Sequence, residues 1–446
     1  MELFARDRQF WRTTLSAAIV GTLGAAGALL FTTVVRLGTD AIWPEEMDYD
    51  VLGGAWWWIV ITTGAGLLVG VLRKALRVPE EPSASLAMIQ DAKTDYRTAL
   101  QTIVVSAISL IGGVSLGPFD AGTRSGGAIG AWFSDRRQVD EDEREINTLS
   151  GIGGALGGLL TAPFMATLLV TELRRPDADR YYRVLIPNLT GAVFGFFVYF
   201  TIVGDTFLGV FSVPGYDVQA WHFGAAVGLG IIAAMIAWIL GLTVSAVRRL
   251  ALRFVPNPVA RPVAGGLVVG LIAVVLPLTL ASGKDQLNVI TTDVGVVSGG
   301  LMVAVVLGKI LAMAVSLGTG FIGGPVMPTL FIGGASGIAI HVLIPDLPLA
   351  LTLSAMLVAV PGSAIKAPFT MLLLAAVTVG VGPADGSPAG VAVIVAYLMT
   401  SGLGLFGVAK PEAADPDDSH HVVYREELFD VTDAPPPEET NPDPES

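Results

Sequence analysis

Two short stretches of this sequence, 116-LGPFDAG-122 and 323-GGPVMPTLF-331, set a glycine–proline corner at the head of an apolar run. Proline suits the first turn of a helix, because its fixed φ and missing N–H fit there. A helix that begins inside an apolar layer leaves its first N–H groups without acceptors, and these carry the positive end of the helix dipole. Such an end attracts anions. Within a membrane it is tolerated where it lines a wet cavity or faces an ion. Glycine lets the backbone come close to that ion. Two such ends converging on one point would form an anion site with no formal positive charge. The candidate anion-binding and pore residues are therefore the corners Gly117, Pro118 and Gly324, with Phe119, Asp120, Val326 and Met327 just after them.

Other chemistries find little material. Cysteine is absent, which removes disulfides, thiolate nucleophiles and thiolate metal sites. The four histidines, His222, His341, His420 and His421, make no pair at helical ligand spacing inside an apolar segment. No nucleophile–base constellation is readable. The expectation is a non-enzyme without metal, cofactor or nucleic-acid partner.

The elements that must carry the corners belong to a membrane. Of 446 residues 52% are hydrophobic and only 15% charged, with mean hydropathy +0.66, whereas soluble domains carry nearer a quarter charged residues. The runs 14–36 and 52–72 are each long enough to span at about 20 residues per crossing. Further apolar stretches lie at about 99–115, 149–171, 184–212, 222–247, 262–281, 294–317, 329–344, 347–360, 367–382 and 389–406. Arg6, Arg8 and Arg12 precede the first run, and Arg73, Lys74 and Arg77 follow the second. The positive-inside rule then makes both ends of this hairpin cytoplasmic, in a multi-pass protein of the plasma membrane with cytoplasmic termini. The net charge of −13 comes largely from the end of the chain, where 411–446 holds twelve acidic residues against the single base Arg425. That proline-rich segment reads as a disordered acidic cytoplasmic tail.

An internal repeat organises the rest. Set at an offset of 207, 117-GPFDAGTRSGGAIG-130 matches 324-GPVMPTLFIGGASG-337 at Gly117/Gly324, Pro118/Pro325, Gly126/Gly333, Gly127/Gly334, Ala128/Ala335 and Gly130/Gly337. A second block, 162-APFMATLLV-170 against 367-APFTMLLLA-375, matches at an offset of 205. Broken segments at corresponding places in two halves point to a transporter-type site at the repeat interface. The expected units are 1–215, 216–410 as an inverted second half, and the tail 411–446.

At these residues the chain resembles the CLC family of chloride channels and chloride/proton exchangers. The resemblance covers roughly residues 10–406 and rests on GGVSLGPFDAG at 112–122 and LGTGFIGGPVMPTLFIGGASG at 317–337. Lys309, ionisable within an apolar span, also sits where such members carry lysine. The resemblance implies an all-α polytopic fold of tilted and discontinuous helices, an inverted repeat, and a homodimer in the bilayer with one pore per subunit. The ligand it implies is chloride or a similar small anion.

The departures from the family pattern bear on mechanism. The family's gating glutamate falls on Phe119, and Asp120 beside it points about 100° away around a helix. The inner pair of glutamates appears as Glu172 followed by Leu173, so Glu172 remains a proton-relay candidate and the usual second relay is leucine. Ser83 or Ser85 stands in for the family's early serine, and Phe406 is the aromatic nearest to its inner tyrosine. Plainer readings sit beside these: Phe119 as packing, Glu172 as a carboxylate at a helix end, and Phe406 as an end-of-helix anchor. The expected function is passive, uncoupled anion transport. The alternatives are a proton-coupled exchanger with relocated carboxylates and a non-conducting scaffold or sensor.

Overall fold

The structure, a computed structural model, describes residues 7–43, 52–79, 85–204, 215–292, 294, 297–380, 382 and 384–402. Ser83, Phe406 and the expected tail lie outside the described residues. Among those described the chain is helical throughout: α1 (Arg8–Ile42), α2 (Trp58–Leu76), α3 (Ser85–Asp91), α4 (Tyr96–Ile111), α5 (Phe119–Arg137), α6 (Glu141–Leu159), α7 (Pro163–Arg174) and α8 (Tyr181–Val203) come first. Then follow α9 (Ala220–Phe254), α10 (Ala260–Val275), α11 (Lys284–Thr292), α12 (Gly299–Thr319), α13 (Val326–Leu343), α14 (Leu349–Ile365), α15 (Pro368–Thr378) and α16 (Ser387–Thr400), with a 3-10 turn at Pro277–Thr279 between α10 and α11.

Six of these helices, α1, α2, α8, α9, α12 and α13, are long and apolar enough to cross a membrane. The chain is a multi-pass membrane protein. At 1.5 Å per residue the 35-residue α1 and α9 each run about 52 Å, well beyond a ~30 Å hydrocarbon layer, so they tilt or project from it. Side-chain caps fix several starts: Asp7, Asp95, Asp140 and Ser298 each accept from a first-turn N–H.

The apolar stretch 149–171 is divided between two helices, α6 and α7. Thr161 takes a left-handed φ of 51°, and Pro163, which has no N–H to continue a helix, starts α7. The same device recurs 205 residues later, where Lys366 has φ 67° and Pro368 starts α15. Gly113 and Gly320, 207 residues apart, both take positive φ, at 76° and 101°. The corners match as well, since Pro118 and Pro325 are the N-caps of α5 and α13.

Packing is close because small residues face one another. A Cβ on Gly21 of α1 would strike the backbone of Gly191 in α8, and one on Gly126 of α5 would strike that of Gly151 in α6. Helices in lipid gain from such approach, since lipid tails offer no hydrophobic drive to associate. Helix α14, buried from Ala350 to Ile365, forms the centre against which α13 and α16 pack.

Candidate functional site

The two corners meet. Gly117 N–H donates to the Gly324 carbonyl at 2.9 Å, and Gly324 N–H donates to the Gly117 carbonyl at 2.7 Å, an isolated antiparallel pair. Side chains cross over this pair. A Cβ on Gly324 would come within 2.6 Å of the Phe119 Cβ, and one on Gly117 within 2.9 Å of the Met327 Cβ. Glycine is required at both places by the opposite helix start. The N-termini of α5 and α13 thus converge, and the first helical N–H groups without an intrahelical acceptor are those of Phe119, Asp120, Ala121, Val326 and Met327. Position 328 is proline and adds no donor.

Phe119 is fully buried, and Val326 and Met327 nearly so. Asp120 is also fully buried, and its carboxylate accepts from Arg124 Nε at 2.7 Å, one helical turn on, while the Arg124 side chain keeps 18% of its exposure. Sequence reading missed this pair, although the i,i+4 spacing was there to find. The negative charge at the head of α5 is therefore matched by its own helix.

Glu172 sits elsewhere, at the end of α7. Its carboxylate accepts from the N–H groups of Phe369 at 3.0 Å and Thr370 at 2.8 Å, and from the Thr370 hydroxyl. These groups open α15, whose N-cap is Ala367, with no capping side chain, and whose first residue is Pro368. Glu172 therefore supplies from across the fold the cap that α15 lacks, and both oxygens are engaged. Leu173, next to it, is buried and carries no proton. Ser85, the second serine considered, is buried at the start of α3.

A cavity of about 600 Å³ opens onto the corner. Its lining includes Pro118 and Gly113, Thr32, Arg36 and Asp40 of α1, Tyr199 of α8, and Leu280, Ala281, Ser282 and Lys284. A second, small cavity of about 20 Å³, close to the size of one water, lies beside Met327 and Phe331. The larger cavity thus reaches Pro118, the residue before the fully buried Phe119.

This arrangement of broken helices and paired corners defines an ion-transport membrane protein. The family model described as voltage gated chloride channel matches residues 65–401, and the chain belongs to that family of anion-transporting proteins. It is 25% identical over 420 residues to YfeO of Escherichia coli (strain SMS-3-5 / SECEC), a protein named for ion transport; the match covers 89% of this chain and 96% of that one. It is 27% identical over 349 residues to the chloride channel protein CLC-e of Arabidopsis thaliana, covering 73% of this chain and 48% of the plant protein. Among solved structures it shares its fold with a slow cyanobacterial Cl⁻/H⁺ antiporter, at TM-score 0.73 and 20% identity over 88% of this chain and 95% of that one. It likewise shares its fold with a CLC-type fluoride/proton antiporter, at TM-score 0.74 and 18% identity over 87% and 95%.

Proposed function

We propose that this chain transports chloride or a similar small anion passively, without proton coupling, through one pore in each subunit of a homodimer. The observation that supports this most is Phe119, a fully buried, non-titrating ring at the point where two helix N-termini converge. A carboxylate there would compete with the anion and could take up and release a proton; a phenyl ring does neither. Leu173 next to Glu172 removes a second titrating group. Asp120 is drawn to Arg124 and Glu172 to α15, which speaks against either serving as a free proton carrier.

The repeated backbone at offsets of 205 and 207 supports halves at 1–215 and 216–410 of opposite membrane orientation. The termini are cytoplasmic by the charge asymmetry of the first hairpin, in the plasma membrane. Exposed rings at equivalent positions support the dimer, since Phe164 on α7 is 66% and Phe369 on α15 61% exposed. The neighbouring α8 and α16 add exposed Phe197 and Leu398. A second copy is the partner whose own Phe164 and Phe369 would cover them under a two-fold axis.

The test is flux from proteoliposomes under a chloride gradient, with chloride and protons followed together between pH 5 and 8. The expected outcome is chloride movement that varies little with pH and drives no uphill proton movement. Stoichiometric proton movement would instead assign exchange, with Asp120 as the carrier to examine. The complete burial of Phe119 also favours a second reading, in which the ring is a plug and the chain a scaffold. A parent without flux that gains it on Phe119→Ala would select that reading.

A further inference from the structure

Lys309 lies in α12, completely buried within a crossing that carries no other charged residue. Its Nζ donates to the carbonyls of Thr279 at 3.1 Å, Leu280 at 3.2 Å and Ala281 at 2.7 Å, and it lies 5.0 Å from the centre of the Phe331 ring. An ammonium has three N–H donors, whereas a neutral amine has two and a lone pair that a third carbonyl would repel. Three carbonyl acceptors therefore mark a protonated lysine, and a ring face beneath it favours the same charge. Among the described residues no carboxylate stands within ion-pair distance of it. A buried charge without a counter-ion is costly, so something has to balance it.

The internal repeat sharpens the point. The position equivalent to Lys309, 207 residues earlier, is Thr102, so the fold itself requires no lysine there. The position equivalent to Phe331 is Arg124, and that equivalent to Met327 is Asp120. Each half thus sets one cation beside the second turn of its pore helix. In the first half the cation has a resident partner, Asp120, at 2.7 Å. In the second half the place of the carboxylate is taken by Met327, and the cation comes from α12.

The charge stands at the pathway without entering it. Leu280 and Ala281, whose carbonyls hold the ammonium, line the 600 Å³ cavity that reaches Pro118, and Phe331 beneath it lines the small cavity beside Met327. Held behind the wall, the ammonium raises the potential for an anion while offering it no direct contact that would slow its release.

We propose that Lys309 is the fixed counter-charge of the transported anion: a charged residue behind the wall that sets anion affinity and selectivity in the 600 Å³ cavity that reaches Pro118. The inference rests on the anion-transport reading and assigns to one residue a task that reading leaves to the helix ends.

Chloride binding to the purified full chain in detergent, by titration calorimetry, tests it without needing flux. One unit charge at about 10 Å and an effective dielectric near 20 changes an anion's affinity by roughly tenfold. Lys309→Met is therefore expected to weaken chloride binding by roughly tenfold and to lower chloride-over-cation selectivity in liposomes, while Lys309→Arg stays within about twofold of the parent. Should Lys309→Met fail to fold, Lys309→Gln, whose amide keeps two N–H donors without the charge, is read in the same way and is expected to weaken chloride by a similar factor. A folded Lys309→Met or Lys309→Gln with chloride affinity within twofold of the parent would overturn the proposal. A parent that binds chloride yet moves none would sink the transport reading alone and leave the assignment of Lys309 standing.

Discussion

Removing the Glu172 carboxylate is the most informative change outside the corners, because it separates a structural from a proton-carrying role. Three donors converge on this side chain: the N–H groups of Phe369 and Thr370 and the Thr370 hydroxyl. Phe369 N–H lies at an exposed site and can turn to water, whereas Thr370 is fully buried. Leaving a buried donor unmet costs about 1–3 kcal/mol, and losing a helix N-cap typically costs about 1 kcal/mol. Because the lost cap and the unmet donor are the same Thr370 N–H, Glu172→Ala should destabilise the protein by about 1–3 kcal/mol. Glu172→Gln keeps an acceptor oxygen but loses the charge at the head of α15, for about 1 kcal/mol. Unfolding in mixed micelles, followed by tryptophan fluorescence, reads both, and flux of the surviving folded protein is measured beside it. The cap reading expects stability to fall in the order parent, Gln, Ala, with no proton current to lose. Were Glu172→Ala as stable as the parent to within about 0.5 kcal/mol, the cap would be dispensable and the reasoning wrong. Were Glu172→Gln to abolish a proton current at unchanged stability, the residue would be a relay after all.

Four other changes have expected outcomes. Phe119→Glu should introduce pH-dependent block of chloride flux, because a carboxylate at the head of α5 is favoured in its charged, competing form; unchanged flux across pH 5–8 would show that position 119 does not face the ion. Arg124→Gln, which removes the ion pair from buried Asp120, should cost about 1–3 kcal/mol in the same unfolding assay, and the double variant with Asp120→Asn should recover most of it; additive losses would mean that the pair is not a unit. Phe164→Lys with Phe369→Lys should convert the dimer to monomer by cross-linking in mild detergent, and a dimer that persists would place the interface elsewhere. Deleting 411–446 should leave expression and flux nearly intact, with loss of either showing that the acidic segment packs on the membrane domain.

The sequence shows the framework better than the wiring. Glycine–proline corners at a fixed offset announce helix starts at Phe119 and Val326, because proline and glycine act locally and leave their mark in the residues themselves. The break before Pro163 has the same local cause, a proline that cannot continue the preceding helix. What stays hidden are contacts made across the fold. Glu172 finds its partners 197 and 198 residues away, and Lys309 finds its carbonyls 28 to 30 residues earlier, with no pattern in the intervening sequence to announce either. The Asp120–Arg124 pair was within reach of helical spacing.

The reciprocal Gly117–Gly324 pair has a mechanical consequence. It is joined by further ties across the same boundary: Ile322 N–H to the Ser109 hydroxyl, Ala281 N–H to the Gly113 carbonyl, and Glu172 to the head of α15. A cycle in which one half rocks against the other would have to break these bonds with each turnover, the first of them where the starts of α5 and α13 converge. A seam stitched in this way behaves as a rigid frame around a small moving part. On the transport reading proposed above, opening and closing would then fall to side chains at the corners rather than to a tilt of one half.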